Sequence, residues 1–277
     1  QAARERVTAY EPILRKKKVL VVGGGVAGCE AARVLAIRGH EPVVYEKASR
    51  LGGNLIPGGT PDFKEDDIAL ATWYTNELNR LGVEVHMNTA ITAKDVLEGD
   101  YDTVIMATGS KPKVFSLGDD SKVYTAAEVL MKEKDCGNTT VVVGGGLVGC
   151  ETALWLAQQG KDVTIVEALD KIMKVNGPLC HSNLDMLEGL LPFNGVKILT
   201  SAKVAKFENG VLSVDTLEGA KNLNCDSVIL AVGYNEENSL YHEVEFDVPE
   251  IYLLGDAKKV ANIMYAIWDA FEVANHI

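Results

Sequence analysis

The chain has 277 residues, of which 47% are hydrophobic and 24% are charged, the usual balance of a globular protein with room for two domains. Its formal net charge of −12 argues against nucleic acid or an anionic membrane surface as a partner, because both attract basic proteins. No apolar run approaches the roughly 20 residues of a membrane span, so we expect no membrane association.

The first segment, residues 1–17, is polar and carries no strong pattern, which predicts a connector. The sequence begins at Gln1 without a methionine. We therefore expect it to be part of a longer chain.

A glycine turn follows the first predicted strand, residues 19–22, and leads into an alanine-rich helix that ends at Gly39. The order of strand, turn and helix, with the spacing Gly23-x-Gly25-x-x-Gly28, is typical of dinucleotide binding. Gly23 permits the tight turn, Gly25 lets the backbone approach a pyrophosphate, and Gly28 lets the helix pack closely on the strand. The positive end of the helix, at Val26 and Ala27, then faces the phosphates.

The second predicted strand, residues 42–45, ends at Glu46, which lies 23 residues after the first glycine. A carboxylate at this place can accept hydrogen bonds from ribose hydroxyls and would repel a 2′-phosphate. The turn from Lys47 to Asn54 follows, with the paired glycines Gly52 and Gly53. These glycines allow close approach to a ligand, and Arg50 could face a phosphate, although a plain surface turn is the alternative.

A buried strand over residues 103–106 ends in the turn Ala107-Thr108-Gly109. At the other end of the chain, a strand leads into Gly255-Asp256 and a final apolar helix over residues 261–277. A carboxylate at a strand end can fix adjacent hydroxyls of a sugar-alcohol chain, because it has two acceptor oxygens.

An internal repeat covers the first motif. With an offset of 121, residues 142–172 agree with residues 21–51 at 13 of 31 positions. A lone glycine fingerprint also occurs in turns without a ligand, but here the strand, the glycine spacing, the helix and the terminal acid all recur. The second copy contains Gly144, Gly146, Leu147, Val148 and Glu167, and the counterpart of the Ala107–Gly109 turn ends at Gly233. Two such sites imply two dinucleotides.

Five cysteines are scattered along the chain without a close pair, which excludes a sequence-local redox disulfide, iron–sulfur site or zinc site. The histidines show no ligand spacing either, so we expect no metal site. Cys29 and Cys150 lie in the first turns of their helices, where a thiolate could be stabilised, but a small buried residue is the favoured interpretation. Reduced thiols suit a cytoplasmic protein.

These motifs together resemble the pyridine-nucleotide disulfide reductase class of flavoproteins over residues 18–277. The resemblance implies an α/β fold with two Rossmann-like dinucleotide-binding domains, the second inserted in the first. Residues 18–115 and 237–277 would bind FAD, and residues 116–236 would bind NAD(H). The FAD residues would be Gly23, Gly25, Val26, Ala27, Glu46, Lys47, Arg50, Gly53, Asn54, Ala107, Thr108, Gly109, Gly255 and Asp256, and the NADH residues would be Gly144, Gly146, Leu147, Val148, Glu167 and Gly233.

More narrowly, residues 39–47, 50–55 and 123–130 are similar to the carboxy-terminal part of 2,4-dienoyl-CoA reductase, 2-enoate reductase and trimethylamine dehydrogenase. Those enzymes carry an Old Yellow Enzyme-like FMN barrel and an iron–sulfur cluster upstream, and neither is present in this sequence. The resemblance therefore implies the electron-entry module of a larger reductase. Val26 departs from the family, which usually has proline there.

The resemblance implies an enzyme in which NADH passes a hydride to FAD and electrons continue to the upstream domain. This transfer requires stacked rings about 3 to 3.5 Å apart and no protein acid or base, so we assign no catalytic side chain. NADH is favoured over NADPH because no arginine follows Glu167 to accept a 2′-phosphate. The alternatives are a stand-alone NADH oxidase, which would need a redox cysteine, and a structural module that holds ADP without turnover.

Overall fold

A computed structural model of the chain describes residues 9–174 and 181–277. These residues form two compact units. The first contains the described residues up to Gly59 together with Lys64–Lys111 and Asn235–Ile277, and the second contains Thr60–Phe63 and Pro112–Tyr234. Residues 1–8 of the predicted connector and Cys180 lie outside the described residues.

Both units contain strands and helices. The strands are β1 (Lys18–Val22), β2 (Glu41–Tyr45), β3 (Glu84–His86), β4 (Thr103–Met106), β5 (Ser110–Pro112), β6 (Val123–Thr125), β7 (Thr139–Val143), β8 (Asp162–Val166), β9 (Lys197–Leu199), β10 (Ala202–Glu208), β11 (Val211–Thr216), β12 (Gly219–Asn224), β13 (Ser227–Leu230), β14 (Tyr234–Glu236) and β15 (Ile251–Leu253). The helices are α1 (Val26–Arg38), α2 (Leu55–Gly58), α3 (Glu65–Arg80), α4 (Ala93–Glu98), α5 (Ala126–Leu130), α6 (Leu147–Gln158), α7 (His181–Phe193), α8 (Ser239–Val244) and α9 (Ile263–His276). None of the helices in the described ranges is long and apolar enough to cross a membrane.

The first unit is built on a parallel sheet of five strands in the order β15-β4-β1-β2-β3. Successive residues of a strand point to opposite faces, so an apolar strand can serve two cores. On one face, Val19 and Val21 of β1 belong to a core cluster with residues of α1 and α9. On the other face, Leu20 and Val22 join a cluster that includes Val96 of α4. Both faces are therefore covered, as parallel sheets require.

The second unit repeats this plan with a parallel sheet in the order β6-β13-β7-β8-β9. Val142 of β7 packs on the side of α6 and α7. Val141 and Val143 face the opposite core, which contains Phe207 and Leu212 of the antiparallel sheet β10-β11-β12. That antiparallel sheet covers the second face of the unit in place of helices.

The expected fold class is confirmed in its main feature: the chain is mixed α/β, with parallel sheets of the Rossmann-like kind. Helix α1 ends as predicted, because Gly39 adopts a left-handed conformation that caps its last carbonyl groups. Helix α5 also begins as its sequence indicates, with a capping box between Thr125 and Glu128.

The described part of the predicted connector packs on the first unit. The side chain of Asn275 in α9 accepts a hydrogen bond from the backbone N–H of Glu11 and donates one to the carbonyl of Ala9. Arg38 of α1 donates to the carbonyl of Glu11. These bonds fix residues 9–11 against two helices of the unit.

A buried ion pair within α1, between Glu30 and Arg33, is joined to α3 by a tyrosine hydroxyl. Both nitrogens on one edge of the Arg33 guanidinium donate to the Glu30 carboxylate at 2.8 Å, and the Tyr74 hydroxyl donates to the same carboxylate at 3.2 Å. Glu30 is only 2% exposed. The hydrogen bonds to Glu30 raise the pKa of Arg33 above its usual value, because they stabilise the charged guanidinium.

We expect Glu30→Ala to lower the free energy of unfolding of the first unit by about 3 kcal/mol, because it leaves Arg33 without its partner in a desolvated site. The measurement is urea unfolding followed by tryptophan fluorescence in a Trp155→Phe background, which restricts the signal to Trp73 and Trp268 of the first unit. Glu77→Ala is the matched control, because Glu77 and Arg80 form the same bidentate pair at 2.8 Å on the surface. Equal effects of the two variants would contradict this account.

Candidate functional site

The motif glycines of the first turn are of two kinds: two have no room for a side chain, and one faces open space. Gly23 has φ of +105°, and a Cβ atom there would collide with the carbonyl of Ala107. A Cβ atom at Gly28 would collide with the carbonyl of Gly23. Gly25 differs, because a Cβ atom there would meet nothing within 4 Å. The predicted roles agree with this geometry: two glycines shape the turn and the third leaves room beside the backbone.

Helix α1 begins at this open space. Gly25 is its N-cap residue, no side chain caps the helix, and no acidic residue occupies its first turn. The first N–H groups of a helix have no partner within the helix and carry a partial positive charge. With Val26 and Ala27 in its first turn, α1 therefore offers a binding place for an anionic group such as a pyrophosphate.

The carboxylate of Glu46 fixes the turn through two hydrogen bonds from the backbone. One of its carboxylate oxygens accepts the N–H of Gly24, and the other accepts the N–H of Ala48, both at 2.7 Å. The residue is 7% exposed. The sequence predicted a ribose ligand here but did not reveal these two backbone bonds. A carboxylate has about four acceptor positions, so the two that remain can still accept hydroxyl groups.

A cleft of about 560 Å³ lies within the first unit, a volume typical of small-molecule sites. Most residues predicted to bind FAD line it, namely Gly23, Gly25, Val26, Ala27, Glu46, Lys47, Gly53, Asn54, Ala107, Thr108, Gly109 and Asp256. Residues of the turn Thr89–Ile91 also line it, as does Asp67 of α3, which the sequence did not identify. Motifs far apart in the sequence thus meet at one cavity.

Two residues predicted for this site lie outside the lining. Gly255 is buried with φ of +58°, and a Cβ atom there would lie 2.7 Å from the Cβ of Ala27. Its part is therefore to let the final strand approach α1. The side chain of Arg50 is exposed, and the structure does not bring it to the cleft. Its predicted phosphate contact stays a prediction.

Asp256 joins two neighbouring segments at the cleft. One of its oxygens accepts the Ser110 hydroxyl at 2.9 Å, and the other accepts the N–H of Ala261 at 3.1 Å. The Asn54 amide donates to the same serine at 3.2 Å. Thr108 points away from this group, because its hydroxyl donates to the carbonyl of Glu237. Sequence reasoning missed Ser110, since a serine after a glycine turn carries no distinctive spacing.

The second unit contains the same turn. Gly144 has φ of +107°, and a Cβ atom there would collide with the carbonyl of Ala231, as at Gly23. Glu167 accepts the N–H of Gly145 at 2.6 Å and that of Leu169 at 2.8 Å, as Glu46 does at positions shifted by 121. The residue is 8% exposed.

Helix α6 has an open amino end like that of α1. Its N-cap residue is Gly146, no side chain caps it, and its first turn holds no acid. The half-buried Leu147 and Val148 begin the helix, and Gly233 follows β13 with φ of +96°. The predicted NADH residues therefore surround the carboxyl ends of β7, β8 and β13.

The two turns differ in the segment that lies over Gly24 or Gly145, the middle residue of each run of three glycines. The N–H of Gly52 donates to the carbonyl of Gly24 at 2.8 Å, and the N–H of Met173 donates to that of Gly145 at 2.6 Å. In the first unit the next residue is Gly53, whose Cβ atom would lie 3.1 Å from the Cα of Gly25. In the second unit that position is an exposed lysine, Lys174. Only the first turn therefore has glycine backbone on both sides of its open space.

The four described cysteines are buried and make no disulfide. Burial, followed by the charges of Glu151 and Glu167, raises the pKa of Cys150 to about 12. Burial likewise raises the pKa of Cys29, whose thiol donates to the carbonyl of Gly24. Neither thiol is activated as a nucleophile. Among the described residues, no group of three or more His, Cys, Asp or Glu side chains is placed to hold a metal ion.

Comparison with known proteins agrees with the turns and sheets. The family model of the pyridine nucleotide-disulphide oxidoreductases matches residues 17–270. The chain belongs to this family. Its relatives include proteins named as reductases and as NADH oxidases.

Several relatives are similar over nearly all of the chain. It is 50% identical over 274 residues to a cinnamate reductase of Clostridium sporogenes, with 99% of this chain and 41% of the relative covered. It is 37% identical over 268 residues to an NADH oxidase of Thermoanaerobacter brockii, with 94% and 41% covered. A solved 2-naphthoyl-CoA reductase complex has a TM-score of 0.91 at 28% identity, with 97% and 41% covered. The chain spans less than half the length of these relatives.

We expect Gly25→Val to lower the affinity for FAD about tenfold or more while the fold survives, because its Cβ atom meets no protein atom within 4 Å and the side chain fills the open space. Gly23→Ala should instead lower the melting temperature, because its Cβ atom collides with Ala107 at a positive φ. FAD titration and thermal unfolding of both variants measure these effects. A Gly25→Val protein that binds FAD as the wild type does would contradict the site.

Proposed function

We propose that this chain is the electron-entry module of a larger reductase, in which FAD occupies the cleft of the first unit and NADH binds at the turn of the second. In this proposal the second unit is a dinucleotide-binding domain inserted in the first, with boundaries near residues 115 and 237. The bound flavin supplies the redox chemistry, because it can accept a hydride from the nicotinamide. The chain itself supplies binding and orientation.

The observation that carries the FAD assignment is that two carboxylates and an uncapped helix end share one cleft. FAD has a ribose, a pyrophosphate and a ribityl chain, so it needs hydroxyl acceptors and an anion site. Glu46 and Asp256 each retain acceptor positions after their contacts with the protein. Helix α1 supplies N–H donors at Gly25 and Val26. The residues present therefore fit the group.

The second turn supports NADH over NADPH as the donor. Glu167 is held in place by two backbone bonds, and its negative charge opposes a 2′-phosphate. The two lysines in the following loop are engaged: Lys171 pairs with Glu188 at 3.7 Å, and Lys174 pairs with Asp170 at 2.7 Å. Exposed ion pairs of this kind are weak, so the preference for NADH rests on Glu167.

The electrons then need an acceptor outside the described residues. The relatives are more than twice as long as the region they share with this chain. We propose that an FMN and iron–sulfur barrel domain upstream receives the electrons, and that its substrate is an unsaturated acid or thioester of the kind named by the cinnamate and 2-naphthoyl-CoA reductases. The predicted cytoplasmic location stays a prediction.

The stand-alone NADH oxidase and the structural ADP module are outcomes of the same test. Purified protein that is yellow and releases FAD on denaturation supports electron entry. A colourless protein that carries ADP supports the structural function. Cysteine redox chemistry has little support among the described thiols, since the pKa of each of Cys29, Cys136, Cys150 and Cys225 is raised by burial.

Stopped-flow bleaching of the flavin should be faster with NADH than with NADPH. Ala168→Arg should raise the reactivity with NADPH about tenfold or more, because it places a guanidinium on the exposed residue next to Glu167, where a charged hydrogen bond can form. Ala220→Arg is the matched control, because it adds the same charge on the exposed strand β12 of the same unit. Equal rates of the wild type with both donors would contradict the role of Glu167.

A further inference from the structure

Three polar side chains at the wall of the first cleft form a chain of hydrogen bonds with one direction. An amide NH₂ group only donates, so Asn54 donates to the Ser110 hydroxyl oxygen at 3.2 Å. An ionised carboxylate only accepts, so Ser110 gives its single proton to Asp256 at 2.9 Å. The Ser110 hydroxyl therefore accepts a hydrogen bond from Asn54 and donates its proton to Asp256.

The chain joins segments that the sequence separates widely. Asn54 precedes α2, Ser110 begins β5 directly after the Ala107–Gly109 turn, and Asp256 follows β15. All three residues line the same cleft. Asn54 is the N-cap residue of α2, but its side chain caps no backbone N–H. The amide is thus free of any helix-capping task, and Ser110 is its hydrogen-bond partner.

These bonds fix the direction of the Asp256 carboxylate. The side chain of an aspartate can turn about two bonds, and a carboxylate that faces a cleft samples several orientations unless other groups hold it. Here Ser110 holds one oxygen and the N–H of Ala261 holds the other. Each oxygen keeps one acceptor position, so the carboxylate presents two fixed acceptors to adjacent hydroxyl groups.

We propose that Ser110 is a positioning residue that fixes Asp256 for the ribityl hydroxyls of the flavin, and that Asn54 in turn orients Ser110. This inference rests on the proposed binding of FAD in the first cleft. It adds Ser110 to the predicted site and gives Asn54 a defined role there, and neither residue needs to touch the reacting ring. They act on the sugar-alcohol chain, through the acid that binds it.

Comparison of FAD with ADP isolates this effect, because ADP has the ribose and both phosphates but no ribityl chain. Ser110→Ala should weaken FAD binding about 3- to 10-fold, the range expected for one lost hydrogen bond, and should leave ADP binding within about twofold of the wild type. Ser110→Thr, which keeps the hydroxyl, should restore the affinity for FAD. Asn54→Ala should weaken FAD binding in the same selective way but to a smaller extent.

The matched control is Ser121→Ala, which removes a similar serine-to-aspartate hydrogen bond, to Asp119, on the surface of the second unit. It should change neither affinity. The apoprotein of each variant is titrated with FAD and with ADP by calorimetry, and circular dichroism checks that the fold is intact. If Ser110→Ala does not fold, the Asn54→Ala and Ser110→Thr proteins decide the result.

Equal losses of FAD and ADP affinity on removal of the hydroxyl would overturn the proposal, because they would show that Ser110 supports the shape of the whole cleft. Unchanged FAD affinity would overturn it as well. A wild-type protein that binds ADP but gains no affinity from the flavin half would overturn the proposed function itself, and the proposal with it. The wild-type titration therefore separates these two failures.

Discussion

A buried glutamate that accepts two backbone N–H groups underlies both halves of this molecule. Glu46 and Glu167 each bond the middle glycine of their turn and the residue two positions after themselves. A hydrogen bond to a charged group contributes about 1.5 to 3 kcal/mol, and a buried carboxylate without such partners is strongly disfavoured. The glutamate thus bonds the end of its strand to the glycine turn. This bond fixes the turn from which the helix begins, at Gly25 or Gly146.

The two copies of the plan differ in a few backbone positions, and these differences support the proposal that they bind different dinucleotides. In the first unit Gly53 lies beside Gly25, so that glycine backbone surrounds the open space. The second unit has Lys174 at the corresponding place and carries an antiparallel sheet instead of helices on one face. The first unit also has the final strand and Asp256, which reach its cleft from the far end of the sequence. These differences are the physical basis for assigning a flavin to one copy and a nicotinamide to the other.

Much of the fold could be predicted because its signals are local. The apolar strands, the glycine spacing and the capping box at Thr125 each lie within a few consecutive residues, and the structure confirms them. The predictions that the sequence could not make depend on contacts between distant segments. The second function of Glu46, the hydrogen bond from Ser110 to Asp256 and the exposure of Arg50 are set by tertiary packing, which no spacing rule encodes. Arg50 is exposed, and its predicted contact with a phosphate stays a prediction.

The central claim is that each copy of the turn binds its own dinucleotide. Equilibrium dialysis of the purified chain with FAD and with oxidised NAD⁺, separately and together, measures it most directly. The account predicts one FAD and one NAD⁺ for each chain, with neither ligand displacing the other. A single dinucleotide for each chain, or displacement of bound FAD by NAD⁺ at saturating concentration, would contradict it.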